Sequence, residues 1–268
     1  MGQLLACMIS RADLLGRALE CEEASLAPPS KSSDGWGVGF YSDGEVLHKK
    51  RPQSPAPAQW SSMVEGLRSN VALVHVREAT VGDARAENTH PFRMRQWLFA
   101  HSGSIGGFDA VRERLLESTP DFLRRNIRGE TDSEHVFHVL LSFLHDGGHL
   151  DQVEAPDEAV VGAMRATAQL VDRLVSEVGA PLPGLNLAVT NGRHLYFLTR
   201  GEPACMVQRD HLPGRESDTD GRPAPSDPVR YALIAASIGD GPPPGYESLP
   251  AGQITVVDRD LQLHAHAL

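Results

Sequence analysis

Five short segments of this 268-residue chain bring polar side chains and glycines together in patterns that could do chemistry. They are Asp34-Gly35-Trp36-Gly37-Val38-Gly39, His75-Val76-Arg77-Glu78-Ala79-Thr80-Val81-Gly82, Asn88-Thr89-His90-Pro91-Phe92, Ala100-His101-Ser102-Gly103 and Gly129-Glu130-Thr131-Asp132-Ser133-Glu134. They sit at strand ends, where a rigid sheet can aim side chains into one pocket. Each alone has a plainer reading. Asp34-Gly35 can be a turn, His75 and His101 core histidines, and Thr131 to Glu134 a helix cap. Five coincidences in one chain make the plain reading the poorer one. Metal chemistry is not expected: His135 and His138 share helical i,i+3 spacing, with His145 and His149 on the next turns, but no acidic or cysteine partner completes a site. Nor is a nucleotide cofactor expected. Gly35 to Gly39 and Gly103 to Gly107 lack the Lys-Ser/Thr ending of a phosphate loop, and such glycines instead allow close backbone approach around a pocket.

The elements that must position these groups follow from periodicity. Gly2 to Ser10 reads as a buried strand beginning almost at the chain start, which places the N-terminus inside the fold. A helical stretch is expected around Ala12 to Ala24. Trp36 to Tyr41 and Glu45 to Lys49 flank Ser42-Asp43-Gly44, a hairpin with Asp-Gly in its turn. Val71 to Val76 and Trp97 to His101 are further strands, and the polar segment between them, Arg77 to Arg95, is the functional suspect. Helices are expected over Phe108 to Glu117, Ser133 to His145 and Asp157 to Val178, the second behind the capping pattern Thr131-Asp132-Ser133-Glu134. Leu185 to Thr190 and His194 to Thr199 enclose Asn191-Gly192, a strong hairpin signal, and Tyr231 to Ala236, Gln253 to Val257 and Leu261 to His266 close the list of strands. Gln208 to Pro228, rich in Pro, Gly, Asp and Ser, reads as a mobile surface insertion. Strands, then helices, then strands, without a repeat or boundary, predict a single α+β domain over residues 1–268.

Composition narrows the function classes. With 25 Lys+Arg against 35 Asp+Glu the formal net charge is −10, so most of the surface repels polyanions, and neither nucleic acid nor membrane is an expected partner. No apolar run approaches the ~20 residues of a bilayer span, and the N-terminus lacks signal-peptide features. Cys7, Cys21 and Cys205 form no CxxC pair, which suits a reducing, cytoplasmic setting.

In order and spacing the segments resemble the class II glutamine amidotransferases, members of the N-terminal nucleophile hydrolases, and in particular their stand-alone forms without a synthase domain. The family pattern runs Met-Cys-x-Leu-Leu, Asp-Gly-Trp-Gly, His-x-Arg-x-Ala-Thr-x-Gly, Asn-Thr-His-Pro-Phe, His-Asn-Gly and Thr-Asp-Ser-Glu; four of these six stand unbroken here. The resemblance covers essentially the whole chain and implies a four-layer αββα sandwich. It also implies a chemistry. An N-terminal cysteine thiol attacks the glutamine amide while its own α-amine acts as base. An Asn side chain and a glycine N–H stabilise the oxyanion. By motif position Arg77 would grip the ligand carboxylate and Asp132 its ammonium, with Thr80 and His90 shaping the pocket.

Two catalytic positions depart from that pattern. Gly2 stands where the nucleophilic cysteine would follow Met1, with Gln3-Leu4-Leu5 in the expected register, and Ser102 stands before Gly103 where the oxyanion carboxamide would be. Glycine cannot form an acyl-enzyme. The preferred reading is a pseudoenzyme that keeps a glutamine or γ-glutamyl pocket and acts through a protein partner of unknown identity. An engineered inactive form would explain Gly2 but not Ser102. The alternative is an active amide hydrolase or amidotransferase in which trimming exposes Cys7; against it, Leu4-Leu5 match the residues that follow the family cysteine, so Cys7 is expected to be a buried apolar group.

Overall fold

A computed structural model describes residues 2–26, 34–52, 59–212, 227–237, 239 and 241–268. Thirteen strands are found among them: β1 (Gln3–Ile9), β2 (Gly35–Ser42), β3 (Glu45–Pro52), β4 (Val71–Val76), β5 (Phe92–Met94), β6 (Trp97–Ser104), β7 (Gly184–Thr190), β8 (Leu195–Thr199), β9 (Ala204–Leu212), β10 (Asp227–Ala236), β11 (Glu247–Ser248), β12 (Gln253–Val257) and β13 (Leu263–Ala267). The helices are α1 (Leu15–Glu22), α2 (Trp60–Met63), α3 (Phe108–Glu117), α4 (Asp121–Arg124), α5 (Asp132–Asp146) and α6 (Asp157–Glu177).

β1 shows why the chain stacks in layers. Its seven residues are all buried, so both of its faces must be covered. Leu4, Ala6 and Met8 point one way, into a layer shared with Leu98, Ala100, Ala188 and Phe197 of a second sheet. Leu5, Cys7 and Ile9 point the other way, against Leu15 and Leu19 of α1 and Trp60 and Met63 of α2. The first sheet runs β11-β9-β10-β1-β4-β2-β3 and the second β13-β12-β8-β7-β6-β5. On the second sheet's outer face, Phe99, Leu187 and Leu198 pack on Val111 of α3, Phe137 and Leu140 of α5 and Met164 and Val171 of α6. Helices, sheet, sheet and helices are the expected four layers.

Most elements lie where periodicity puts them. At the first hairpin, Asp43 (φ 51°) and Gly44 (φ 81°) adopt the left-handed pair that such a two-residue turn requires. Four short elements carry no sequence signal: α2, α4, β5 and β11 are too brief for a period to register. One expectation is corrected. Gln208 to Leu212 is not insertion but the end of β9, with Leu212 opposite Asp227 in β10. Residues 213–226 of that segment lie outside the described residues.

Candidate functional site

β4 runs between β1 and β2, with Gln3 opposite Val76 and His75 opposite both Leu4 and Gly37. This register brings the start of the chain against the end of β4, from which the His75-to-Gly82 segment departs. Past the strand, Arg77 N donates to Gly35 O (2.8 Å) and Asp34 N to Arg77 O (2.8 Å), while the Asp34 carboxylate accepts from Ala79 N (2.7 Å). Asp34 therefore fixes the turn that presents Thr80. At Gly37 an added Cβ would strike the carbonyl of His90, so glycine there lets the Asn88-to-Phe92 loop lie flat on β2. Asn88, fully buried, ties three segments together: its Nδ2 donates to Asp83 O (3.0 Å) and its Oδ1 accepts from Glu130 N (2.8 Å).

These elements enclose a cavity of about 30 Å³, lined by Gly2, Arg77, Thr80, His90, Gly103 and Asp132 among others. Six of the seven predicted site residues thus converge, and Ser102 is the one outside the described wall. Its hydroxyl donates to Gly2 O (2.6 Å) and accepts from the Ser237 hydroxyl (2.9 Å), so it clasps the chain start instead of facing the cavity. Ser237 had no signal in sequence, because it sits outside every motif. Gly103, at φ 157°, has no space for a side chain against Gly184 O.

The polar groups are already heavily engaged. Arg77 is 3% exposed and donates to Val81 O (2.8 Å), Gly82 O (2.8 Å) and Asp83 O (3.2 Å), curling its own loop around the guanidinium. Burial lowers its pKa, opposed by the charges of Asp34 and Asp132. Asp132 accepts from Ser133 N (2.8 Å) through one oxygen and Ile105 N (2.8 Å) through the other. Thr80 Oγ1 lies 3.3 Å from Ser104 Oγ. The expected capping box at the start of α5 is half formed: Thr131 Oγ1 accepts from Glu134 N, but the Glu134 carboxylate turns outward to Arg128 N (2.9 Å) and Gly129 N (2.6 Å).

Three histidines floor the cavity. His101 Nε2 is 3.0 Å from Gly184 O and its Nδ1 is 2.9 Å from the Ser133 hydroxyl. The rings of His75 and His90 lie 4.2 Å apart, and His90 meets Phe92 edge-on at 4.7 Å. Burial, then the neighbouring His101 and Arg77 charges, push His75 down to about 3. Burial likewise holds His90 well below the usual histidine range. Both are neutral near pH 7, and neither His90 nitrogen has a hydrogen-bond partner among the described residues.

Gly2 is closely packed. A Cβ built there would lie 2.5 Å from Val76 O, 2.7 Å from His75 Cε1 and 2.9 Å from His75 Nε2. The space that a thiol would need is filled by a backbone carbonyl and an imidazole. Cys7 lies well away from that position. It is 1% exposed in mid-β1 on the helix-covered face, roughly 16 Å along the strand from Gly2, and burial pushes its thiol up to about 12. Trimming to Cys7 would also delete the residues that pair β1 with the end of β4. No group of three or more His, Cys, Asp or Glu side chains is arranged to hold a metal among the described residues.

Comparison with known proteins gives one consistent answer. The family described as glutamine amidotransferases class-II matches residues 1–215. Saccharomyces cerevisiae DUG3 is 28% identical over 60% of this chain, which spans 49% of that protein. Escherichia coli YafJ is 28% identical over 77% of this chain and 79% of its own. The γ-glutamyl-hercynylcysteine sulfoxide hydrolase of Mycolicibacterium smegmatis is 36% identical over 34% of this chain and 41% of its own. The solved structure of a glutamine aminotransferase class-II domain protein from Silicibacter pomeroyi superposes with a TM-score of 0.61 at 19% identity, covering 99% of both chains, which establishes likeness of fold.

Proposed function

The chain belongs to the class II glutamine amidotransferases, and from that premise we propose that it is a non-catalytic member which binds an α-amino acid or γ-glutamyl compound and acts through a protein partner. One observation carries this reading: position 2 holds glycine, with backbone and imidazole packed where a nucleophile would project. In a serine protease, loss of the nucleophile costs roughly 10⁶ in turnover. Arg77, Thr80, His90 and Asp132 nevertheless still surround that position.

The roles assigned to these residues follow from their charges. The Arg77 guanidinium takes the ligand carboxylate and the Asp132 carboxylate takes the ammonium, gripping a zwitterion at both ends. The cavity of about 30 Å³ has room for roughly one water, so the ligand enters only if the Arg77-to-Asp83 turn opens. Arg77 then exchanges loop carbonyls for the ligand carboxylate, a swap of hydrogen bonds that costs little net energy. With no bond broken, occupancy is read by another protein through the moved turn. Three unpaired cysteines suit a reducing, cytoplasmic location, and no helix among the described residues is long and apolar enough to cross a membrane.

Isothermal titration calorimetry with glutamine tests the reading. Saturable binding is expected, weakened by Arg77→Lys, which keeps the charge without the two-pronged donor, and abolished by Arg77→Ala. Absence of binding by glutamine, glutamate and γ-glutamyl dipeptides alike would overturn it.

A further inference from the structure

Among the described residues the two sheets end in four edge strands, and three of these are guarded. β3 carries Lys49, Lys50, Arg51 and Pro52, while β5 and β11 are only three and two residues long. Charge, proline and brevity are the devices that keep an edge from pairing with another chain. β13 has none of them. Its five residues, Leu263-His264-Ala265-His266-Ala267, include no Lys, Arg, Asp, Glu, Pro or Gly, and it pairs with β12 alone.

The ladder fixes which groups of β13 point outward. Asp258 N donates to Gln262 O (3.0 Å) and Leu268 N to Gly252 O (2.9 Å), both in the register that sets Gln253 opposite Ala267. Bonded and non-bonded pairs alternate along antiparallel strands, so His264 and His266 turn their amides toward β12, and Leu263, Ala265 and Ala267 turn theirs to the free side. Arg165 Nε of α6 reaches Ala267 O from that side (2.7 Å). The other outward N–H and C=O groups of these three residues have no partner among the described residues. All three side chains are exposed, Leu263 at 38%.

We propose that a second copy of this chain docks on this edge, β13 against β13, antiparallel about a two-fold axis through Ala265, so that the two six-stranded sheets become one. This register uses every outward group: Ala265 exchanges both bonds with its counterpart, and Leu263 exchanges both with Ala267 of the second copy. An axis through His264 or His266 would leave Ala267 or Leu263 without a partner strand residue. The exposed Leu263 then packs beside Ala267 of the second copy, on the same face of the joined sheet. Charge favours the same arrangement. Arg165, at the Ala267 end, has no carboxylate within ion-pair distance among the described residues, and the turn at the other end, Asp258-Arg259-Asp260, is net acidic. Antiparallel pairing brings Arg165 of each copy to the acidic turn of the other.

Sedimentation velocity and amide hydrogen exchange on the full chain test this. The contact is small, so a dimer of micromolar affinity is expected. The amides of Leu263, Ala265 and Ala267 should exchange slowly in concentrated protein and rapidly on dilution, while those of His264 and His266, bonded to β12, stay slow at both concentrations. Ala265→Pro removes only an outward donor and so spares the β12 ladder; it should weaken association about tenfold or more. Ala265→Lys sets two lysines opposite each other across the axis and should do the same, with the thermal midpoint of the dilute monomer unchanged. A chain that stays monomeric at millimolar concentration would overturn the proposal, as would a dimer that leaves these three amides unprotected or is indifferent to both substitutions.

Discussion

At the level of single residues, the account turns on Gly2. Restoring the family's cysteine is the obvious repair, and the packing says that it will fail. A Cβ at that position meets Val76 O at 2.5 Å, and this backbone carbonyl sits where the end of β4 pairs with both β1 and β2, so it is not free to rotate aside. Gly2→Cys is therefore expected to release no ammonia from glutamine above the wild-type background. It should also lower stability by about 1–3 kcal/mol, the usual cost of forcing extra volume into a packed site. A discontinuous ammonia assay and a urea denaturation curve measure the two. Ser102 shows the limit of reading side chains from a motif: its position before Gly103 suggested an oxyanion role, but a hydroxyl is shorter than a carboxamide, and it finds the Gly2 carbonyl first. No pattern in the sequence announces that contact, because Ser237, which completes it, arrives just past the end of β10.

Among the elements, those with a full period were legible and those defined by a partner were not. β1, α3, α6 and β12 bury faces that their own sequences display, whereas β11 exists only because Glu247 and Ser248 pair with Met206 and Cys205 of β9. The site segments were legible for a different reason. Their glycines and buried polar groups have few substitutes: Gly37 clears the His90 carbonyl, and Asn88 spans Asp83 and Glu130 with both ends of one amide. Asn88→Ala leaves the Glu130 N–H without its acceptor and removes one of the donors to Asp83 O, which Arg77 and the Arg85 N–H still reach. The unpartnered N–H costs about 1–3 kcal/mol. Amide hydrogen exchange should then show faster opening of residues 81–90 and 129–131, with the rates in β1 and β10 unchanged. Uniform acceleration across the molecule would show that Asn88 carries global stability instead of holding the loops together.

For the molecule as a whole, the layered sandwich buries histidines that must stay neutral, and this sets its response to acid. His75, at about 3, and His138, at about 4, lie below the ordinary value of 6.5, so the unfolded chain binds more protons than the folded one as pH falls. Their contribution is complete above pH 6.5 and is lost on acidification. By pH 5 each costs about 2 kcal/mol, from 1.36 kcal/mol per unit over the interval. Glu134, whose burial raises its carboxyl, works in the opposite direction and recovers part of the loss. Urea midpoints should therefore fall from pH 7.5 to pH 5, and His138→Gln should flatten the slope; a midpoint independent of pH would contradict this arrangement. The same burial bears on the central claim that the pocket holds an amino acid without cutting it. The most direct test is an NMR experiment with glutamine labelled with ¹⁵N at its carboxamide and a stoichiometric amount of protein. The account predicts a carboxamide signal that broadens on addition of protein and keeps its full intensity overnight. Appearance of ammonium at a rate proportional to protein concentration would contradict it.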